Sequence, residues 1–582
     1  MAQEDTYEIG LVMAGAISAG AYTAGVVDYL LEALMHYEKV RKKFADDHPG
    51  QSLHNVQIRV ISGASAGGMT GTMLLSAMMD SDYRPMRGYD PDAATDPDIN
   101  NVFYRSWVSR THGIDIEYML DTSDITGTTP LKSLLNCKRL DEIADQALRH
   151  PRILQKYDYI PQRIDHFLSV FNLGGVPYTV NFEGSDSQYG LTNHSDMMHF
   201  VHDAKEDTIY DPNEIPIKTD TTSVLDANWE LLKQSTLATG AFPIALEPRD
   251  IGKDRKSYNE WKWWVPQCDT QKVCQGQGSC FCLTKIPPNW PNPSESDYRF
   301  VSVDGGVANN EPLEVARRTL AGDALFNPRN ANDACRSVIM VDPFPGGPRT
   351  EFTYEGINLF KIASKLFGSL KGQARFKPEE MELAADPNIF SRFMIAPSRN
   401  GAAHGMELAS ASVGAFGGFL SEKFRQHDFQ LGRANCQSFL TTHFIIGLDN
   451  ALVKEHIEWF RENHCIVPKK DAEYVQVIPM VNLQDTPIIP IPYDSVAMNR
   501  QDLDTIITLI DIRIKTVLDK SYFINEVINK IVNKIDLKPF KWLADKGIAL
   551  LKGKIASGLA SWASGKIQKI MEKDLTTRGL LK

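Results

Sequence analysis

The 582-residue chain has no run of about 18 uninterrupted apolar residues, so no transmembrane helix is expected. It has no excess of positive charge: 62 Lys and Arg stand against 73 Asp and Glu, a net charge of −11. That balance argues against a general nucleic-acid binder. The start, Met1-Ala2-Gln3-Glu4-Asp5, lacks the basic residues of a secretory leader, and the apolar segment after it reads as part of the fold. The expected location is the cytoplasm, with export that needs no cleaved signal left open. Cysteine is scarce, eight in all, too few for a disulfide scaffold. Four of them, Cys268, Cys274, Cys280 and Cys282, crowd one Gly/Gln-rich loop. Zinc sites usually carry two cysteines separated by two residues, a spacing absent here, so disulfides or free thiols compete with a metal. No metal or cofactor is expected.

What is present begins with Gly63-Ala64-Ser65-Ala66-Gly67. An apolar run, Val56 to Ile61, precedes it and a helix-like run, Met69 to Met79, follows. Strand, tight turn with a serine, and helix make the layout of a nucleophile elbow. Gly63 and Gly67 flank the serine because the sharp turn leaves no room for side chains, and the turn lifts the hydroxyl toward a substrate carbonyl. The pattern alone arises about 0.2 times by chance in a chain of this length, so its surroundings must decide.

Ile9 to Ala14 reads as a buried strand, Gly15 to Gly20 as a small-residue turn, and Tyr22 to Tyr37 as a helix with one broad apolar face. Two strand–loop–helix units within the first 80 residues point to a parallel sheet with crossover helices. Residues 80–100, rich in Asp and Pro, read as a surface loop, and 101–230 as short helices and loops inserted on the sheet. Gln234 to Pro243 reads as a helix ended by Gly and Pro, and 250–298 as an irregular insertion. Strands are expected at Tyr298–Val303 and Val338–Val341. Residues 355–425 read as helices around a short strand, and 500–582 as helical, with Ile524, Val527, Ile528, Ile531 and Ile535 at helical spacing. The expected division is a catalytic unit at 8–345 with insertions near 80–230 and 250–298, a mixed extension at 346–499 and a helical end at 500–582.

A serine hydrolase needs a nucleophile, a base and donors for the oxyanion. Ser65 is the candidate nucleophile. None of the fourteen histidines sits in a motif that marks it as the base. A carboxylate at the end of a neighbouring strand can serve instead, and Asp304, followed by Gly305-Gly306, fits, although the same residues also suit a plain strand-ending turn. Donors are expected between the first strand and first helix, from the backbone of Gly15, Ala16 and Ile17, in a turn closed by Gly20. A dinucleotide loop is disfavoured there, because Ile17 stands where close approach to a pyrophosphate needs glycine.

With these motifs in this order, the chain resembles the patatin-like phospholipase family. Gly25-Val26-Val27-Asp28-Tyr29-Leu30 is similar to that family's first helix, and Ser235 to Pro243 to its small-residue helix and Phe-Pro. The resemblance covers roughly residues 8–345. It implies a three-layer α/β/α fold and hydrolysis of lipid acyl esters, phospholipids among them. It also implies Ser65 as nucleophile, Asp304 as proton acceptor, an acyl-enzyme, and an oxyanion loop at Gly15–Gly20. Ala16 and Ile17 depart from the glycines usual there, and a position of positive φ suits Ile poorly, so Gly15 with Ala16 is the expected donor pair. Arg425-Gln426-His427-Asp428-Phe429 and Leu431-Gly432-Arg433 resemble a long bacterial branch of the family, and read equally as buried polar anchors between helices.

Two other functions compete. A Ser-His-Asp α/β-hydrolase would need a late catalytic histidine and more strands before its elbow. A non-catalytic membrane-binding scaffold would not need Ser65 and Asp304. Residues 538–582 carry ten Lys/Arg against three Asp/Glu, with Trp542, Leu559 and Trp562 among the lysines. Such a segment can lie on anionic lipid or dock on the body with its lysines in water.

Overall fold

A computed structural model of the chain describes residues 5–86, 101–125, 130–148, 157–181, 188–205, 208–218, 227–266, 281–292, 294–324, 326–345, 388–469, 472–520 and 541–582. Residues 87–100 of the expected surface loop, Cys268, Cys274, Cys280 and the Ile524–Ile535 stripe lie outside them.

Strand β1 (Thr6–Met13) leads through a short turn into helix α1 (Gly20–Asp47), then strand β2 (Asn55–Gly63) and helix α2 (Ala66–Met78). The two strands pair in parallel, from Thr6 opposite Asn55 to Met13 opposite Gly63. Residues of these strands divide between two cores, with the period of two along β1 and with a bulge at Arg59 that puts Ile58 and Val60 of β2 on opposite faces. Val12 and Val60 pack under Ala316 and Leu320, while Leu11, Met13, Ile58 and Ile61 pack in the core on the opposite face. Both faces are thus covered, and the strands read as nearly continuous apolar runs.

Helix α3 (Lys138–Ala147) precedes two long antiparallel strands, β3 (Arg163–Asn181) and β4 (Gln188–Asp203), and the two-residue strand β5 (Ile215–Pro216). This stretch departs from the expectation of short helices and loops. The segment Ile164–Val170 is buried throughout, so it shows no alternation, and its His, Asp and Ser residues dilute the apolar run that marks a central strand. Helix α4 (Ala227–Thr239), strand β6 (Arg249–Asp254) and strand β7 (Asp297–Asp304) follow. Between the last two, Lys262–Pro266 and Phe281–Lys285 pair as a small ribbon that includes Cys282, so the expected irregular insertion carries some order. Helix α5 (Leu313–Ala321) and strands β8 (Arg336–Val341) and β9 (Arg392–Ile395) complete the sheet.

Among the described residues the sheet has nine strands, in the order β9-β8-β1-β2-β3-β4-β5, with β7 pairing β3 and β6. The β9-β8-β1-β2-β3 run is parallel. The arrangement is an α/β/α stack with a parallel-dominant sheet. One register detail positions the site. Strand β3 faces Gly63 of β2 with Leu168, and two residues later faces Asp304 of β7 with Val170. The ends of β2 and β7 therefore meet across β3.

The C-terminal part adds helix α6 (Glu422–Thr442), helix α7 (Arg500–Lys520) and helix α8 (Lys541–Thr577). Helix α6 presses on α1 so closely that a Cβ at Gly25 would lie 2.0 Å from the Phe429 carbonyl oxygen. Arg433 of α6, itself buried, bonds to buried Asp28 and Glu32 of α1. Burial is the main influence on that guanidinium and pulls it down to about 9. Arg425 pairs with Asp115 and donates to the Val108 and Gly418 carbonyls. His427 Nδ1 donates to Asp428 at 2.7 Å, and Asp428 accepts from the Ala409 and Ser410 amides. The motif-like residues of this helix are thus buried polar anchors.

Candidate active site

Ser65 sits between β2 and α2 with φ 54 and ψ −131, a conformation that L-residues rarely hold. Two glycines allow it. A Cβ at Gly67 would lie 2.2 Å from the Met13 carbonyl oxygen, and one at Gly63 would lie 2.7 Å from Gly67 backbone atoms. The Ser65 amide donates to Thr239 Oγ1 at 2.9 Å, and Thr239 Oγ1 donates to the Ser169 carbonyl at 2.6 Å. Thr239 therefore pins the turn to β3. It lies inside the segment Gln234 to Pro243 that the sequence marked, but nothing in the pattern singled it out.

Ser65 Oγ donates to Asp304 Oδ2 at 2.7 Å, and both residues are buried. Asp304 Oδ1 accepts the Gly306 amide, also at 2.7 Å. Gly305 lies so close to β3 that a Cβ would meet the Ser169 carbonyl oxygen at 1.9 Å. The two residues separated by 239 positions in sequence are thus joined through the register of β2, β3 and β7. A serine hydroxyl bonded to a carboxylate is the arrangement of a nucleophile with its proton acceptor.

The turn 15–20 lies beside them: a Cβ at Gly15 would be 2.9 Å from Ser65 Cβ and 2.5 Å from Asn310 Oδ1. The Gly15 amide donates to the Asn310 carbonyl at 3.2 Å, so this expected donor is engaged. Asn310 was not nominated by the sequence. The Ala16 and Ile17 amides carry no hydrogen bond among the described residues. Ile17 takes φ 51, the very conformation that a β-branched residue disfavours. Its neighbour Ser18 is tied to a distant segment: Ser18 Oγ donates to the Ala415 carbonyl at 2.6 Å and accepts the Gly418 amide at 2.9 Å. That segment holds Val413 and Ala415 at φ 51 and 74, and the Val413 amide donates to Asp574 Oδ2 of α8 at 2.6 Å. Gly20, expected to close the turn, is the first residue of α1.

Ser65 opens into a cavity of about 430 Å³ walled by Ile17, Ala66, Trp107, Phe242 and Phe416 among others. A second cavity of about 510 Å³ shares Met69, Trp107, Ile114 and Leu140 with it, and its lining is almost wholly apolar. The two cavities adjoin, with these four side chains bordering both. His166 lies close to α2, where its Nε2 and Thr72 Oγ1 are 3.0 Å apart. Burial pulls its imidazole down to about 3. Among the described residues no histidine bonds to Ser65 Oγ.

One group of side chains has metal-like composition, Asp165, His199 and Glu214. Asp165 bonds to Arg59, Arg163 and His199. Burial would raise its carboxyl, but the His199 hydrogen bond and the Arg59 charge hold it well below the usual range. Guanidinium groups thus occupy the acceptor sites a cation would need.

The sequence profile of patatin-like phospholipases matches residues 11–317, a span that contains the Gly15 turn, Ser65 and Asp304. The chain belongs to the patatin-like phospholipase family. An uncharacterized protein of Sinorhizobium fredii, y4iI, is 32% identical over 528 residues, which cover 84% of this chain and 72% of that protein. The patatin-like fold and a lipid acyl hydrolase family are therefore assigned together. Among the described residues, no helix of this patatin-like protein is long and apolar enough to cross a membrane.

Proposed function

We propose that the protein hydrolyses lipid acyl esters, as a phospholipase A or lysophospholipase-type esterase, through a Ser65–Asp304 dyad and an acyl-enzyme. The observation that carries this reading is the 2.7 Å hydrogen bond from Ser65 Oγ to Asp304 Oδ2 beside an apolar cavity. As Oγ attacks the ester carbonyl, its proton passes to Asp304. The tetrahedral intermediate collapses, the lipid alcohol leaves and takes that proton. Water then gives a proton to Asp304 and attacks the acyl carbonyl. Collapse releases the carboxylic acid and returns the proton to Ser65 Oγ.

The developing oxyanion needs fixed donors. The amides of Ala16 and Ile17, and that of Ala66 in the first turn of α2, fit this role, since Ile17 and Ala66 border the cavity. The positive end of α2 adds to them. The acyl chain takes the paired apolar cavities, where each buried methylene contributes about 0.8 kcal/mol.

A fluorophosphonate probe tests the assignment. Labelling of the wild-type protein that vanishes in Ser65→Ala is the expected result, and labelling that survives in Ser65→Ala sinks it. Loss of labelling in a single His→Ala variant with a native fold would favour the Ser-His-Asp alternative.

A further inference from the structure

We propose that the mouth of the Ser65 cavity is a docking face for an anionic lipid bilayer, with Ile244 at its tip and the outer side of α8 beside it. The proposal rests on the acyl-ester hydrolase reading above. Ile244 is 76% exposed and has φ 70. A β-branched residue gains nothing from the left-handed region, and this one recovers little by burial. Backbone bonds to the Ile244 and Ala245 carbonyls hold the turn, but nothing in the chain covers the side chain; a docked surface would. Ile244 also stands between Phe242 and Leu246, which both line the cavity that holds Ser65.

The apolar exposure continues along elements bonded to this tip. The Leu134 amide donates to the Ile244 carbonyl at 2.9 Å, and Leu134 is itself 46% exposed. Buried Arg513 of α7 donates from Nε to the Leu134 carbonyl at 2.8 Å, and its neighbour Ile512 is 48% exposed. Ser564 Oγ of α8 donates to Asp511 Oδ1 of α7 at 2.8 Å, two residues from Trp562, which is 66% exposed. Exposed apolar side chains recur on each of these linked elements, a mark of an interaction surface.

Charge selects the occupant. Helix α8 exposes Leu559, Trp562, Lys566, Lys569 and Lys573 at spacings of three and four, hence along one side. The whole chain carries −11, yet residues 538–582 carry ten basic against three acidic groups. An acidic protein that must approach an anionic surface needs such a local basic side, and tryptophan with lysine suits the headgroup layer.

The test uses the full chain and vesicles of phosphatidylcholine with and without phosphatidylglycerol. Ile244→Asn is informative because asparagine accepts positive φ, so the turn is relieved while the apolar tip is lost. Binding in the Ser65→Ala background separates docking from turnover. We expect Ile244→Asn to weaken flotation with anionic vesicles about fivefold. We expect it to lower the ratio of vesicle phospholipid hydrolysis to soluble short-chain ester hydrolysis about tenfold, with no loss of thermal midpoint. Lys566→Glu with Lys569→Glu should abolish the preference for phosphatidylglycerol. Wild-type binding and an unchanged ratio in Ile244→Asn overturn the proposal, as does a lipid-free dimer that Ile244→Asn dissociates. Vesicle binding without any esterase activity would instead sink the hydrolase reading and leave the docking face standing.

Discussion

Asp304→Asn is nearly isosteric and isolates the proton-accepting role. Asp304 Oδ1 accepts the Gly306 amide and Oδ2 accepts the Ser65 hydroxyl, each at 2.7 Å. The Gly306 amide can only donate, so the oxygen of an asparagine must face it. The NH2 group is then turned toward Ser65 Oγ, where it donates and cannot take a proton. A positioned general base contributes about 10²–10⁴-fold, and each decade is about 1.36 kcal/mol. The barrier should therefore rise by roughly 3–5.5 kcal/mol, while the Gly306 bond, which keeps its acceptor, holds the thermal midpoint close to wild type. The assay is kcat and KM on a soluble p-nitrophenyl ester, with thermal unfolding in parallel. The fall should appear in kcat and leave KM nearly unchanged, because the cavity wall is untouched. A folded Asp304→Asn enzyme whose kcat stays within tenfold of wild type would refute the reasoning.

Two further perturbations probe parts of the molecule away from the dyad. Asp574→Ala removes the acceptor of the Val413 amide and should lower kcat on a soluble ester about tenfold at constant KM. Asp574→Asn, which retains an acceptor oxygen, should recover most of it, and equal rates in both variants would contradict the link. Burial depresses the His54 imidazole from 6.5 to about 4, and its Nε2 donates to the Val477 carbonyl at 2.7 Å. With the folded value below the unfolded one, the unfolded chain binds more protons between these values, so stability is full above pH 6.5 and declines toward pH 4. At about 1.36 kcal/mol per unit the loss is on the order of 3 kcal/mol, and denaturant melts from pH 7 to 4.5 should show it shrink in His54→Gln.

The elements legible in the sequence are those whose burial is simple. Strands β1 and β2 read as apolar runs, which suggests the parallel sheet with crossover helices; α1, expected to show one broad apolar face, is instead buried on every side over Gly20–Leu34, because α6 covers the rest. Strands β3 and β4 were not legible. Asp165 and His166 lie inside β3 as buried polar residues bonded to other elements, Asp165 to His199 and His166 through Nε2 to Thr72, and such long-range bonds leave no mark on the local pattern. Asp304 could be nominated from its place at a strand end before two glycines, but its approach to Ser65 depends on Leu168 and Val170 standing opposite Gly63 and Asp304, a register that local pattern does not carry. Thr239 and Asn310 escaped for the same reason. Each acts through a backbone group that becomes its neighbour only once the sheet is assembled.

Ile17 is the sharpest departure from sequence logic, and its surroundings supply the reason. Positive φ at a non-glycine residue costs about 1–3 kcal/mol and persists only where neighbours over-determine it. Ser65 is over-determined within residues 11–317, by Gly63, Gly67 and Thr239. Ile17 is not. What fixes it is next door at Ser18, whose hydroxyl bridges the Ala415 carbonyl and the Gly418 amide. That segment is itself held at positive φ, and its Val413 amide ends on Asp574 of α8. The elbow is therefore built by the part of the chain the family shares, whereas the turn beside it is built jointly with residues 410–418 and 574. A rule drawn from local preference alone must fail at residue 17, because the determinants of its backbone lie about 400 and 560 positions away.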